Sequence, residues 1–395
     1  MIKSILILLT GSVFAQIFPL LVSPVLTRTF NEVQFGGFAS IFAAATIISV
    51  VATFRLEFAF LRLKSQRLRQ YFLDYILYTT LIASLLISLA YVILFKLPMY
   101  NLFYISGTAL FLANTQIMIN FWNINESFTK ISKLRVFQGF TVSILAVVFG
   151  FLGIEDGLII PYLVCCLVLF IFTIKMEKSH SNELKVRTLL SFIKRSKNYM
   201  IWSTLSDGIN ATYNIGLFAI FAFYFEAGEI GLYFLSIRIL RSPIVLFTQS
   251  LSNIYIGSMR NIKIHSKTHL KIFFRIQILA AAFTASYLFL IYLMDGMWFY
   301  IFGSNWENVG DYILVLWIYL IANSAYNPIS QAANWLNQQK VLFLFNSLNL
   351  ILTFLSLELY SGDLLGFLRI YSFVIGGSFL ILNVYIVSKI WIKVQ

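Results

Sequence analysis

The chain has 395 residues, of which 59% are hydrophobic and only 11% charged, and it carries a net charge of +13. An ordinary soluble domain is roughly 25% charged, so a globule of this length could not solvate its exterior and the excess apolar surface requires lipid. Nor does the basic excess indicate nucleic acid. The 40 Phe and 21 Tyr are spread through long apolar runs and the Lys and Arg gather in short segments between them, the pattern of contact with anionic lipid headgroups.

In chain order, the runs that reach the roughly 20 apolar residues a spanning helix needs are 4–27, 35–61, 73–95, 102–122, 134–154, 157–174, 199–225, 230–257, 272–293, 309–333, 341–358 and 364–390. The first follows Lys3 as a secretory signal would, but it contains Pro19 and Pro24 and lacks a small-residue cleavage box, so it reads as the first spanning helix. Cys165 and Cys166 stand side by side in the short sixth run, too few for a disulfide framework or a metal site. The outer connections are short except for 294–308, and no soluble domain is expected.

Alternating these spans across the bilayer puts 23 of the 29 basic residues on one side, with four acids. The other side receives only Arg28 and Lys96 among basic residues, yet ten acids, including Glu32, Asp311, Glu358 and Asp363. By the positive-inside rule both termini are cytoplasmic. A basic connection at 176–198 separates an N-terminal bundle, 1–175, from a C-terminal bundle, 199–395. The segments Phe30–Gly36 and Phe225–Gly231, 195 residues apart, each hold an acid and end in Gly, and repetition by halves is a feature of alternating-access transporters.

Six ions fall inside the runs: Arg55, Glu57, Asp207, Arg238, Arg241 and Arg369. Charge at such depth must snorkel, pair or face water. Arg55 and Glu57, at i and i+2, do not face each other on a helix and are not expected to bridge; they read as snorkelling groups, or as a gate or headgroup contact. Arg238 and Arg241 share a face at i,i+3, so they need a common anion, acidic partners on other helices or a wet cavity. Guanidinium is a bidentate ligand for phosphate. Arg369 either snorkels or extends a cationic lining. Asp207, Asn210 and Asn214 form a polar stripe that either glues helices or lines a cavity in which Asp207 exchanges an ion. Amides also recur at Asn323, Asn327 and Gln331 around Pro328, where a bend is expected, and at Asn114 and Asn120. Their paired donors and acceptors suit sugar hydroxyls.

There is no phosphate-binding loop, His-Glu-x-x-His, nucleophile elbow or zinc-spaced Cys/His set. No enzymatic activity and no cofactor is therefore expected, and His180, His265 and His269 read as solvated loop residues. Energy for any transport would come from an ion or substrate gradient.

The opening Gly11-Ser12-Val13-Phe14-Ala15-Gln16, Pro24-Val25-Leu26-Thr27-Arg28, Glu32 with Phe35-Gly36, Arg55-Leu56-Glu57, and later Asn334-Trp335-Leu336-Asn337-Gln338-Gln339-Lys340 resemble bacterial polysaccharide-biosynthesis flippases. These are lipid-linked oligosaccharide exporters of the multidrug/oligosaccharidyl-lipid/polysaccharide superfamily. The resemblance implies an all-α polytopic membrane protein of about 12 helices, two six-helix bundles in a V around a central cavity. It implies a bacterial inner-membrane location and transfer of an undecaprenyl-pyrophosphate-linked oligosaccharide, for O-antigen, capsule or a related glycan, to the periplasmic leaflet, possible partners being the polysaccharide polymerase and chain-length regulator. Arg238, Arg241 and Arg369 would then contact pyrophosphate or acidic sugar, and Asp207, Arg55 or Glu57 would couple or gate. A multidrug or small-metabolite antiporter of the same fold, and a non-transporting assembly component, are the alternative readings.

Overall fold

The computed structural model describes residues 2–57, 66–177, 201, 203–259, 266–294, 296–330, 339–360 and 362–391, and among them every regular element is helical. In lipid an exposed peptide group finds no water, so a spanning segment must close its hydrogen bonds internally, as these helices do. The elements are α1 (Ile2–Thr29), α2 (Glu32–Ala52), α3 (Gln66–Leu94), α4 (Tyr100–Ile124), α5 (Phe128–Phe151), α6 (Ile160–Glu177), α7 (203–221), α8 (Ala227–Met259) and α9 (Lys267–Leu293). They continue with α10 (Trp298–Phe302), α11 (Val309–Val315), α12 (Trp317–Tyr326), α13 (Gln339–Leu359) and α14 (Leu364–Trp391).

Among the described residues eight helices are long and apolar enough to cross a membrane, or nine if the pair Ser304–Val315 and Trp317–Ile329 is one bent span. The other apolar runs are helical over shorter stretches, Val13–Thr29, Ile160–Ile171 and 203–221. The fold is thus an all-α polytopic membrane protein. Residues 178–198 of the expected basic connection lie outside the described residues, as does Gln331.

Contacts divide the chain into two compact units, one of residues 1–30 and 37–223, the other of 31–36 and 224–395. In the first, the most extensive pairing is α1 on α5, followed by α3 on α4 and α4 on α6. Pro19 has no N–H for the carbonyl of Ala15, which loosens α1 there. Gly139 of α5 packs at that spot, where an added Cβ would stand 2.7 Å from the Ala15 oxygen. Phe72, Ile76, Phe111, Ile117, Phe121 and Leu134 fill the space between α3, α4 and α5, with Cys165 of α6 beside them as a packing residue. Glycine-to-backbone contact and interdigitated apolar groups bring helices together here, since lipid offers no hydrophobic drive between them.

In the second unit α14 packs on α12 and α13, and α9 packs on α12 and α8. The start of α2 belongs to this unit. Asn31 and Gln34 close a reciprocal capping box at 2.9 Å in both directions, which satisfies two of the orphan donors at the helix start. Gly36 then lies against the carbonyl of Ala227, and Gly231 against the carbonyl of Glu32. The two sequence-repeat segments therefore cross each other reciprocally, and each glycine leaves room for the first residue of the opposite helix.

The long outer connection has structure of its own, and two local expectations, at His269 and Pro328, are corrected. The 294–308 connection is built of short helical turns, α10 and Ser304–Trp306, and Trp306 is fully buried with its ring 4.8 Å from Phe35. His269 is fully buried, not a solvated loop residue: Ser266 caps α9, its side chain accepting from the His269 N–H, and places the imidazole 2.8 Å from the Tyr255 hydroxyl. Pro328 does end α12, in a 3-10 turn over Asn327–Ile329, but the 55° break lies earlier, at Leu316 between α11 and α12.

Candidate functional site

Helix α2 is Ala- and Ile-rich until Ala52 and then stops abruptly. Phe54 and Arg55 both take left-handed backbone angles, φ 46° and 53°, a conformation that costs a non-glycine residue roughly 1–2 kcal/mol. The peptide N–H of Leu56 closes the turn on the Thr53 carbonyl at 2.9 Å. With the helix ended, i,i+2 spacing no longer separates the side chains. Arg55 Nη1 donates to Glu57 Oε1 at 3.1 Å, which overturns the expectation that the two would not bridge.

The same guanidinium reaches the seventh run. Its Nε lies 2.8 Å from Asp207 Oδ2, a charge contact and not an aligned hydrogen bond. Side-chain exposure falls from 32% at Asp207 through 16% at Arg55 to 0% at Glu57. Glu57 Oε2 is buried with no hydrogen-bond partner. Glu57 lies beyond the apolar span Glu32–Ala52, and burial pushes its carboxyl above the ordinary range, against the lowering effect of a backbone hydrogen bond and of Arg55. A strained turn, one guanidinium and two carboxylates of unequal burial thus form one cluster inside the first unit.

Above Asp207, α7 carries a π turn at Thr212–Gly216. Widening the helix by one residue disturbs the ordinary i→i−4 ladder, a distortion frequent at functional sites. Asn214 Nδ2 donates to the Asn210 carbonyl and to Asn210 Oδ1, both at 2.8 Å. The expected stripe of Asp207, Asn210 and Asn214 is therefore split: Asp207 turns to Arg55, and the two amides bind each other.

The remaining sequence candidates stand on other elements. Asn114 is buried on α4, where its Oδ1 has no hydrogen-bond partner, and the buried Nδ2 of Asn120 likewise has none. Asn323 donates to the Tyr319 hydroxyl at 2.9 Å, whereas Asn327 is exposed at the 3-10 turn. Arg238 and Arg241 are on α8 in the second unit, which also holds Arg369 on α14. Arg369 is exposed and lines a cavity of about 340 Å³ with Asp311, Leu314, Val315, Trp317 and Phe373. Among the described residues no three His, Cys, Asp or Glu side chains converge to hold a metal ion.

Sequence reasoning found the members of the Arg55 cluster but not their union. Neither Thr53 nor Phe54 signals a turn as Gly or Asn would, and Asp207 follows Arg55 by more than 150 residues.

No protein-family model matches the sequence, and no curated protein matches it significantly. Among solved structures, the lipid II flippase MurJ in an inward closed conformation is similar at 17% identity and a TM-score of 0.70, over 98% of this chain and 90% of that one. An inward-facing multidrug resistance MATE family transporter of the MOP superfamily is similar at 11% identity and a TM-score of 0.55, over 95% of both chains. The chain has the polytopic helical fold that these two transporters share.

Proposed function

We propose that the protein transfers an undecaprenyl-pyrophosphate-linked oligosaccharide between the leaflets of the bacterial inner membrane by alternating access, driven by proton exchange, with both termini cytoplasmic. The observation that carries this reading is the clamp of Arg55 between Glu57 and Asp207. Pyrophosphate is an acceptor-only anion that a guanidinium binds through paired N–H groups. With both carboxylates ionised the three side chains sum to one negative charge, which repels it. Protonation of Glu57 removes that charge and one competitor for the guanidinium, so proton uptake and anion capture become linked at one residue. The left-handed turn stores strain that the ion pairs hold in place, and release of Arg55 lets it relax.

The fold likeness to a lipid II flippase supports a passenger of this class. Arg238 and Arg241 are the further guanidiniums we assign to phosphate or acidic sugar. The amides on α4, α7 and α12 are assigned to hydroxyl groups.

Reconstitution in proteoliposomes tests the reading against the antiporter and assembly alternatives. Accessibility of a fluorescent pyrophosphate-linked oligosaccharide lipid on the far leaflet is followed under an imposed pH gradient, beside efflux of an organic cation. Gradient-dependent lipid transfer without cation efflux is the expected result; cation efflux without lipid transfer, or neither, would overturn the reading.

A further inference from the structure

The cavity on the second unit holds one cation and one anion that do not neutralise each other. Among the described residues Arg369 and Asp311 form no ion pair within 4.0 Å and no side-chain hydrogen bond, although both line the same cavity of about 340 Å³. Opposite charges in reach of apolar surroundings normally close on each other. Here the 55° break at Leu316 sets α11 and α12 at an angle, and residues on both sides of the break, Val315 and Trp317, line the cavity with the two charges.

Depth and rim indicate the occupant. Arg369 is five residues into the apolar span Leu364–Lys389, and Asp311 seven residues beyond Ser304, where the bent span begins. At the helical rise both lie about two turns or less from the start of their spans, the part of a spanning helix nearest the headgroups. The rim is formed by Trp317, 51% exposed, and Phe373, 63% exposed. Trp at this level is an interfacial anchor.

We propose that this cavity binds the headgroup of a zwitterionic aminophospholipid, phosphatidylethanolamine. Its phosphate accepts from the Arg369 guanidinium, its ammonium donates to the Asp311 carboxylate, and its chains pass over Trp317 and Phe373. A cavity of about 340 Å³ is at the small end of ligand-sized sites, which suits a headgroup. Each charge needs its counterpart on the ligand, so an anionic lipid such as phosphatidylglycerol satisfies Arg369 but offers Asp311 neutral hydroxyls and no countercharge. The inference does not depend on what the protein transports.

The test is native mass spectrometry of the full chain released from nanodiscs of equal phosphatidylethanolamine and phosphatidylglycerol. Wild type retains the ethanolamine lipid preferentially. Arg369→Gln lowers retention of both lipids about tenfold, the worth of one charge-assisted hydrogen bond, and Arg369→Lys restores part of it. Asp311→Asn abolishes the preference without lowering phosphatidylglycerol, and Glu307→Gln, an exposed acid outside the cavity, changes nothing. Soluble phosphoethanolamine does not displace the lipid, because it lacks the chains that the rim contacts. An unchanged lipid ratio in Asp311→Asn, preferential retention of phosphatidylglycerol by wild type, or displacement by phosphoethanolamine would overturn the proposal.

Discussion

Arg55 and Arg369 are both arginines bordering apolar helices, and the protein treats them in opposite ways. Arg55 is drawn inward against two carboxylates, Glu57 just beyond it in the chain and Asp207 from a distant helix, on a backbone bent into the left-handed region to deliver it. Arg369 is exposed and kept apart from the acid that shares its cavity. The difference separates what the fold satisfies for itself from what it leaves for a ligand. A buried charge whose partners are protein groups is a switch, open only when a competitor or a proton arrives; an exposed one beside an unpaired opposite charge is a standing site.

The contrast breaks first at Arg55. Arg55→Ala leaves Glu57 fully buried without a countercharge, and the expected loss is on the order of 3 kcal/mol, the low end for a broken buried pair because Arg55 retains some exposure. It is read as a fall in the thermal midpoint in detergent. Arg369→Ala, by comparison, is expected to stay within about 0.5 kcal/mol, as for an ordinary surface substitution. Equal losses in the two variants would erase the distinction.

Next in size is the crossing of the repeat segments. Gly36→Ala and Gly231→Ala each drive a methyl group into a backbone carbonyl, while Gly37→Ala, with nothing within 4 Å of its new Cβ, is a neighbouring control. Overpacking of this kind costs about 1–3 kcal/mol, so both crossing variants should melt well below the control.

The strained turn gives a smaller effect of opposite sign. Phe54→Asn supplies a residue that tolerates the left-handed region, and a gain of up to about 1 kcal/mol is expected. The pH dependence of the midpoint sharpens the account of Glu57. Its folded carboxyl holds a proton more readily than the unfolded one, so its contribution to stability is complete below the unfolded value and is lost as pH rises through the folded one. Glu57→Gln should flatten the pH profile in that window just above the ordinary carboxylate range.

Much of the fold was legible because lipid imposes one rule on the whole chain: long apolar runs become helices, and their ends lie near charge. The bounds of α4, α9 and α14 lie close to the apolar runs for that reason. The short stop of α2 was not legible, since Thr53-Phe54-Arg55 has neither glycine nor proline and the ion pairs of Arg55 include one with the distant Asp207. His269 was misplaced because a basic neighbourhood outweighed the Ser266 cap, which turns the segment into the first turn of a helix and buries the ring. The repeat segments were visible as a faint echo, and only their crossing explains why each keeps a glycine. For the site, composition picked out the ions, but pairing between Arg55 and Asp207 depends on how α7 lies beside the end of α2, which no local pattern encodes.

The most direct test of the central claim is the affinity of a pyrophosphate-linked lipid for the full chain in nanodiscs, compared among wild type, Arg55→Gln and Asp207→Asn. If Asp207 competes with the passenger for the Arg55 guanidinium, Asp207→Asn binds several-fold more tightly than wild type and Arg55→Gln about tenfold more weakly, the latter being the loss of one charge-assisted contact. Wild-type affinity in both variants, or weaker binding by Asp207→Asn, would contradict the account.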